Sequence, residues 1–453
     1  MIHADTIFAL SSGHGTSGVA VIRLSGPAAV TALTSLTGRK APSARQAVLR
    51  VLVDPKTSER LDQALVIAFP GPASFTGEDV VELHLHGGRA VVEGVLSALG
   101  DMADLRAAEA GEFSRRAFEN GKLDLTEAEG LNDLIHAQTA AQRGQALRQM
   151  DGELRSLYDG WRSLLLAHLA HLEADIDFPD EDLPEGISGK VKPNILSIQS
   201  EISQHIDSGK RGRLLRDGFR IVILGEPNTG KSTLMNAIAR ADVAIVSEEA
   251  GTTRDTIEVQ LDLGGFPVRL IDTAGVRASD GIIEQEGIRR ALVRAKDADL
   301  RLVLVRADHW PTVPEAMHQW IDGNTLVIAT QNDRVKEDQL FHVEHLQGVK
   351  AKGTVTLSAK TGAGLSELMS ALEGIVAEQM SLREAPTLTR LRHQQALEVA
   401  VEHLKRFQHN AGQDAVLAAE DVRMAVRAVG SITGRVGVED MLDVVFSDFC
   451  IGK

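Results

Sequence analysis

Apolar residues change their spacing three times along this chain, and each change marks a different kind of structure. Over residues 1–120, short apolar runs such as Val19-Ala-Val-Ile-Arg-Leu24 and Leu65-Val-Ile-Ala-Phe69 are separated by glycine-rich turns, with Gly26-Pro27 and Gly71-Pro72 as punctuation. This predicts a small α+β domain with one or two helices. Over 121–217, Ala, Leu, Glu and Gln recur at helical spacing, broken by Asp177-Phe-Pro-Asp-Glu-Asp-Leu-Pro184, which predicts a helical domain with one acidic turn. Residues 218–379 alternate apolar strands, at 220–224, 268–271, 300–305, 326–329 and 355–357, with amphipathic helices. Such alternation signals a doubly wound, mostly parallel sheet. Over 380–453 the pattern returns to helix, at 389–408 and 418–449. The expected fold is multidomain α/β: an α+β domain, then a helical domain into which the α/β unit is inserted.

Composition narrows the function. With 453 residues and 43% hydrophobic content the chain can bury two or three cores. No run of eighteen apolar residues occurs, and the first residues lack the basic flank and apolar stretch of a secretion signal, so a soluble cytoplasmic protein with no membrane partner is expected. The one cysteine, Cys450, excludes an intramolecular disulfide and a multi-cysteine metal site built from this chain alone. A formal net charge of -15 opposes binding of nucleic acid by bulk attraction. No DNA partner is expected, and any RNA contact must use local basic patches, for which Lys210-Arg-Gly-Arg213 and the arginines of 423–435 are candidates that also read as solvated helix faces.

The most informative segment is Gly225-Glu-Pro-Asn-Thr-Gly-Lys-Ser232, which follows an apolar strand and leads into a helix expected over 233–239. Its glycines let backbone N–H groups curl around phosphates at a helix N-terminus. Asn228, Thr229, Gly230, Lys231, Ser232 and Thr233 are thus expected to hold a nucleotide, Lys231 reaching the β and γ phosphates and Ser232 binding Mg²⁺. Asp272-Thr273-Ala274-Gly275, at the end of a second apolar strand, supplies an aspartate to the Mg²⁺ shell and a backbone N–H to the γ-phosphate. Between them, in Gly251-Thr-Thr-Arg-Asp255, Thr253 is the switch hydroxyl that completes that shell.

Base choice falls to Thr330-Gln-Asn-Asp333, because a carboxylate at Asp333 accepts both N1–H and the exocyclic amine of guanine, a donor pair that adenine lacks. Thr330-Gln331 departs from the Asn-Lys that opens this motif in many GTPases. Ser358-Ala359-Lys360 is expected to back the base, and the five elements in this order predict GTP. Valine at 276 replaces the glutamine that orients water in Ras-like enzymes, so catalysis must draw on another group. Asn228 reads equally as a loop-capping side chain or as a ligand for a monovalent cation beside the phosphates.

With those residues in view, the chain resembles the tRNA modification GTPases of the MnmE or TrmE family from end to end. The resemblance is carried outside the GTPase unit by Val21-Ile-Arg-Leu-Ser-Gly26, by Ser74-Phe-Thr-Gly-Glu-Asp-Val-Val-Glu-Leu83, by 111–124 and by the final Phe449-Cys-Ile-Gly-Lys453. It implies that residues 1–120 hold 5-formyltetrahydrofolate or a related one-carbon folate through Arg23, Glu82, Lys122 and Lys453. It implies a homodimer whose G domains close around K⁺ held by Asn228, Ser247, Glu249 and Thr252, with Glu284 orienting the attacking water. Cys450 matches a terminal cysteine for which a catalytic role has been suggested; a lone thiol of this kind reads equally as a buried or folate-adjacent group. The turn Ser11-Ser-Gly-His-Gly15 departs from a Thr-Pro-Pro-Gly type turn frequent in the family.

Two functions follow. In the first, the chain works with a flavoprotein resembling MnmG, in a heterotetramer or larger complex, to place an aminomethyl or carboxymethylaminomethyl group on C5 of the wobble uridine of tRNA. In the second it is a regulatory or ribosome-assembly GTPase whose output is a conformational state. The folate-like flank and the acidic balance favour the first.

Overall fold

The structure is a computed structural model that describes residues 4–177, 188–240, 258–272, 295–335, 351–380 and 387–452, except 412, 438 and 448. The chain divides into two compact units: residues 1–132, 148–199 and 396–453 form the first, and residues 133–147 and 200–395, which interrupt it in sequence, form the second.

In the first unit a six-stranded sheet is built from β1 (Thr6–Leu10), β2 (Ser17–Ser25), β3 (Val48–Val53), β4 (Arg60–Phe69), β5 (Val80–Gly87) and β6 (Leu105–Ala107), in the order β3-β4-β5-β2-β1-β6. Neighbours run antiparallel except β1 and β6, which are parallel. Alternation sets its two faces. Ile22, Leu24, Val66, Leu83 and Leu85 point into a core closed by α1 (Ala29–Thr37) and α2 (Arg89–Gly100), while Arg23, Glu82 and His84 occupy the opposite parity. A third helix, α3 (Glu112–Glu119), was not foreseen in the sequence. Its few apolar residues, led by the fully buried Phe113, are diluted by charge, and the fully buried Arg116 stabilises its base through Asp5, Ser25 and Glu78.

The helical segments are α4 (Leu125–His136), α5 (Ala140–Met150), α6 (Glu153–Asp177) and α7 (Ser188–Asp217). Asp124 caps α4: its Oδ1 accepts from Glu127 N, and the Glu127 carboxylate accepts from Asp124 N, each at 2.8 Å.

The second unit carries the other six-stranded sheet: β7 (Phe219–Gly225), β8 (Glu258–Leu263), β9 (Phe266–Asp272), β10 (Leu300–Arg306), β11 (Thr325–Thr330) and β12 (Gly353–Leu357), ordered β12-β11-β10-β7-β9-β8. All neighbours are parallel except β8, which pairs antiparallel with β9. Strands β7, β10 and β11 are buried on both faces, which is why they read as unbroken apolar runs. Helices α8 (Lys231–Ala239), α9 (Glu315–His318) and α10 (Leu365–Met380) follow strands β7, β10 and β12 respectively. The mostly parallel, doubly wound sheet is therefore present, with an antiparallel edge that the sequence reading omitted.

After α11 (Leu391–Asn410), the single helix expected over 418–449 is two: α12 (Ala415–Ile432), which packs along α6, and α13 (Glu439–Ser447). The break falls at Gly434 and Gly437, at φ +83° and +61°, a region that a helix cannot use.

Candidate nucleotide site and a second cavity

The buried strand β7 delivers the chain to Gly225, at φ +156°, where an added Cβ would lie 2.8 Å from Leu304 O. The loop then turns through Asn228 at φ +63° and Gly230 at φ +93°. Helix α8 starts at Lys231 rather than 233, and no side chain caps its first turn, so the leading N–H groups are left for an anion. Lys231 Nζ donates to Gly225 O at 2.8 Å and Glu226 O at 2.9 Å, so the ammonium lies across the loop. Burial pushes its pKa down from the usual lysine range, and the charge of Asp272 opposes that shift.

Parallel pairing sets Ile223 beside Asp272, so β9 delivers this aspartate to the edge of the loop. Asp272 is fully buried, and Ser232 Oγ donates to its Oδ2 at 2.9 Å. A hydroxyl and a carboxylate in contact are hard oxygen donors of the kind Mg²⁺ selects.

The next two strands bring the residues expected to read the base. Asp333 sits in a short turn after β11, and Ser358, at the end of β12, donates to its Oδ1 at 2.6 Å. That hydrogen bond holds the Asp333 carboxyl below its ordinary range, with help from Lys360 and Arg334. Asp333 is therefore ionised, and an ionised carboxylate can accept from two guanine donors. Ala359 lies between Ser358 and Lys360 in the same loop. Thr330 Oγ1 donates to Thr229 O at 2.7 Å, and Gln331 Nε2 donates to Asn228 O at 2.9 Å. The departure from Asn-Lys thus keeps a tie between the base loop and the phosphate loop. Sequence reasoning gave Gln331 no role, and its signal was its φ of +61°, invisible in composition.

The structure thus gathers Asn228, Thr229, Gly230, Lys231, Ser232, Thr233, Asp272, Thr330, Asp333, Ser358, Ala359 and Lys360 in one unit. Ser247, Glu249, Thr252, Thr253, Thr273, Ala274, Gly275, Glu284 and Lys453 lie outside the described residues.

A cavity of about 550 Å³ opens in the first unit, lined among others by Arg45, Ser74, Phe75, Glu82 and Lys122. Arg23 Nε and Nη2 both donate to Glu82 Oε1, at 3.1 and 2.9 Å, and its guanidinium lies 5.3 Å from the Phe75 ring centre. His84 Nε2 is 3.3 Å from Glu82 Oε2, and Lys122 Nζ donates to Pro72 O at 3.0 Å. Pockets of this size hold small-molecule cofactors. One carboxylate for an aminopyrimidine edge and cations for glutamyl carboxylates fit a folate. Arg45 and His84 were missed in the sequence, since nothing around either residue distinguishes it from an ordinary surface position.

The chain's last residues lie on the same unit. Ala110 bridges Ile451, Gly111 N donates to Cys450 O at 3.4 Å, and Ser11 Oγ donates to Gly452 O at 2.7 Å. Gly452, at φ +94°, passes so close to Leu10 that an added Cβ would lie 2.1 Å from Leu10 O. The Cys450 residue is exposed.

Comparison with known proteins accounts for the whole chain. The family model described as GTP-binding protein TrmE N-terminus matches residues 6–122, and the one described as MnmE helical domain matches 125–450. The tRNA modification GTPase MnmE of Parvibaculum lavamentivorans is 53% identical over 451 residues, covering 99% of this chain and 100% of that protein. The mitochondrial 5-taurinomethyluridine tRNA synthase subunit GTPB3 of Danio rerio is 46% identical over 467 residues, covering 99% and 93%. Among solved structures, Aquifex aeolicus Era bound to GDP and aluminium fluoride matches 41% of this chain and 66% of its own at 23% identity, with a TM-score of 0.29.

Proposed function

This chain belongs to the MnmE family of tRNA modification GTPases, and from that membership we propose that it is a K⁺-activated GTPase that works with a flavoprotein partner on C5 of the wobble uridine. It is a GTP hydrolase of tRNA modification; the K⁺, the partner and the uridine chemistry are the proposal. The observation that carries it is the joining, in one chain, of the Ser232–Asp272 and Asp333–Ser358 contacts with a folate-sized cavity walled by Glu82 and Lys122. The likeness to a relative named for 5-taurinomethyluridine supports C5 as the position modified.

In this reading the loop N–H groups of 228–233 and the Lys231 ammonium bind the β and γ phosphates of GTP, and Asp333 selects guanine. Ser232, Asp272 and Thr253 hold Mg²⁺, which when bound offsets phosphate charge. Asn228 is exposed in the left-handed region and offers a side-chain carbonyl, a donor that suits K⁺; Ser247, Glu249 and Thr252 are its proposed companions. Glu284 orients the attacking water. Glu82 and Lys122, with Arg23 holding Glu82 in place and Lys453 completing the set, bind 5-formyltetrahydrofolate or a related one-carbon folate, which supplies a one-carbon unit when bound. Homodimerisation through residues 1–120 is supported by Leu49, Val51 and Leu65, which leave apolar surface exposed on β3 and β4. Among the described residues no helix is long and apolar enough to cross a membrane, in keeping with work on tRNA in the cytoplasm.

The test is mass spectrometry of tRNA nucleosides from cells lacking this chain and complemented with the intact protein, Asp272→Ala or Cys450→Ser. C5-substituted wobble uridines should vanish and return with the intact chain but not with Asp272→Ala; the Cys450 variant decides whether the thiol takes part. Unchanged nucleosides would leave a regulatory GTPase.

A further inference from the structure

Lys122 lines the 550 Å³ cavity, but its neighbours Gly121 and Leu123 line another, of about 620 Å³, that no role has yet claimed. Its walls belong wholly to the first unit. Helix α6 supplies Arg155 and Arg162, the α12–α13 connection supplies Thr433 and Arg435, and the cap of α4 supplies Asp124. Phe118, Leu123 and Leu442 make the apolar part.

Three features of these walls belong to a binding site rather than to a packing defect. The first is orientation. Arg435 is forked on Asp159, with Nε to Oδ1 at 3.0 Å and Nη2 to Oδ2 at 2.7 Å, and Arg155 Nη1 donates to Glu127 at 3.1 Å, so both guanidiniums are held before any ligand arrives. A guanidinium carries five N–H donors, so a carboxylate on one side leaves donors for an anion. The second is unmet polarity. Arg162 Nε and Thr433 Oγ1 are buried with no hydrogen-bond partner among the described residues, and so is Asp124 Oδ2, although it lies 3.8 Å from the Arg155 guanidinium. Folded proteins leave few such atoms, and three on residues of one cavity wall call for polar atoms from elsewhere. The third is the mix of chemistry: an acceptor, a donor and a hydroxyl beside an aromatic ring suit a flat heterocycle, and the volume far exceeds that of a bare phosphate. Burial raises the Asp124 pKa, against the hydrogen bonds from Glu127 and Thr126.

We propose that this cavity takes one unstacked nucleotide of the RNA substrate, with its base against Phe118 facing Asp124, Arg162 and Thr433, and its phosphate at Arg155 and Arg435. The proposal rests on tRNA being the substrate. It gives a chain of net charge -15 a local means of gripping RNA: arginines at the rim and a base pocket behind them, as enzymes that extrude a nucleotide require.

The full-length chain is titrated with a fluorescent synthetic RNA hairpin carrying a uridine-containing loop, and uridine 5′-monophosphate and inorganic phosphate are used as competitors. GTP turnover and thermal melting serve as controls for folding. The paired change Arg162→Gln with Arg435→Gln should weaken hairpin binding about tenfold or more, with GTP turnover unchanged. The independent variant Gly121→Asn puts a side chain where nothing lies within 4 Å of the added Cβ, at a φ of +67° that asparagine tolerates. It should abolish competition by the nucleotide. Equal competition by phosphate and nucleotide would overturn the base-reading half, leaving only an anion site. Hairpin binding unmoved by all variants, or absent from the wild-type chain, would overturn the proposal. The nucleoside analysis above separately decides whether tRNA is modified.

Discussion

The nucleotide site and the Glu82 cavity are both built on six-stranded sheets, but they assemble their chemistry in opposite ways. The phosphate loop is eight consecutive residues whose working groups are mostly backbone N–H, posed by one strand, one helix and a few left-handed residues. The Glu82 cavity draws side chains from a loop before β3, from the turn after β4, from β5 and from the segment after α3. Backbone-borne chemistry forces a short, fixed spacing, whereas side-chain chemistry needs only that the fold bring distant residues together. The first kind of site announces itself in sequence; the second is recognised through its relatives or not at all.

If that contrast holds, the largest losses come from the few side chains in the nucleotide site that the backbone cannot replace. Lys231→Ala removes the ammonium held at the loop and should lower GTP turnover by about 10²–10³-fold at saturating Mg²⁺ and K⁺. A single-turnover assay reads it; turnover within a few fold of wild type would mean that backbone donors alone stabilise the reacting phosphates. Asp333→Asn comes next. The amide presents only one acceptor atom to two guanine donors, so GTP affinity should drop on the order of 10²-fold, and discrimination against ATP should collapse with it.

The particular residues show how far the sequence could be read. Strand β7, the loop that follows it, Asp272 at the end of β9 and Asp333 after β11 were all legible, because an apolar run ending in a fixed motif leaves few alternatives. Strand β8 was not read, although Val259, Leu261 and Leu263 alternate and Gly264-Gly265 forms a hairpin turn; as a half-buried edge strand it alternates with Gln260 and Asp262 and so lacks the unbroken apolar run of its buried neighbours. The ties from Thr330 and Gln331 to the phosphate loop span about a hundred residues, and no local pattern encodes them. The break at Gly434 was obscured by apolar residues that keep helical spacing on both sides of it.

Acid provides a test that separates the units. His205, in α7, and His393, in α11, are buried in the second unit, and burial, aided by the neighbouring His393, lowers the His205 pKa to about 4. The folded value lies below the unfolded 6.5, so between those values the unfolded chain binds more protons and stability falls as pH falls. The loss should reach a few kcal/mol by pH 4. His205→Gln should flatten that part of the profile in thermal melts of the second unit, followed by release of bound fluorescent GDP; an unchanged slope would assign the acid sensitivity to other groups.

In the first unit, Glu82→Gln keeps the shape of the cavity but removes the charge that holds Arg23 and faces His84. Folate affinity should fall about tenfold while GTP turnover stays put. A matching fall in turnover would break the separation of the two sites. Lys122→Ala should behave alike, with a loss that depends on the number of glutamyl carboxylates the ligand carries.

The smallest effect tests whether Ser358 reads the base or only serves the residue that does. Its hydroxyl donates to Asp333, and that bond is the foremost reason the carboxyl sits below its ordinary pKa. Ser358→Ala should therefore let the Asp333 pKa return toward the usual aspartate range, where the group is still fully ionised at neutral pH. GTP affinity at pH 7 should fall only about two- to fivefold, from lost orientation. Guanine recognition needs the ionised form, so binding fades as pH drops through the Asp333 pKa; raising that pKa moves the decline upward. The variant should lose GTP at a higher pH than wild type, and the gap between the two curves should widen on acidification. A loss at pH 7 as deep as that of Asp333→Asn would instead give Ser358 a direct hold on the base and make the reading of guanine a shared task.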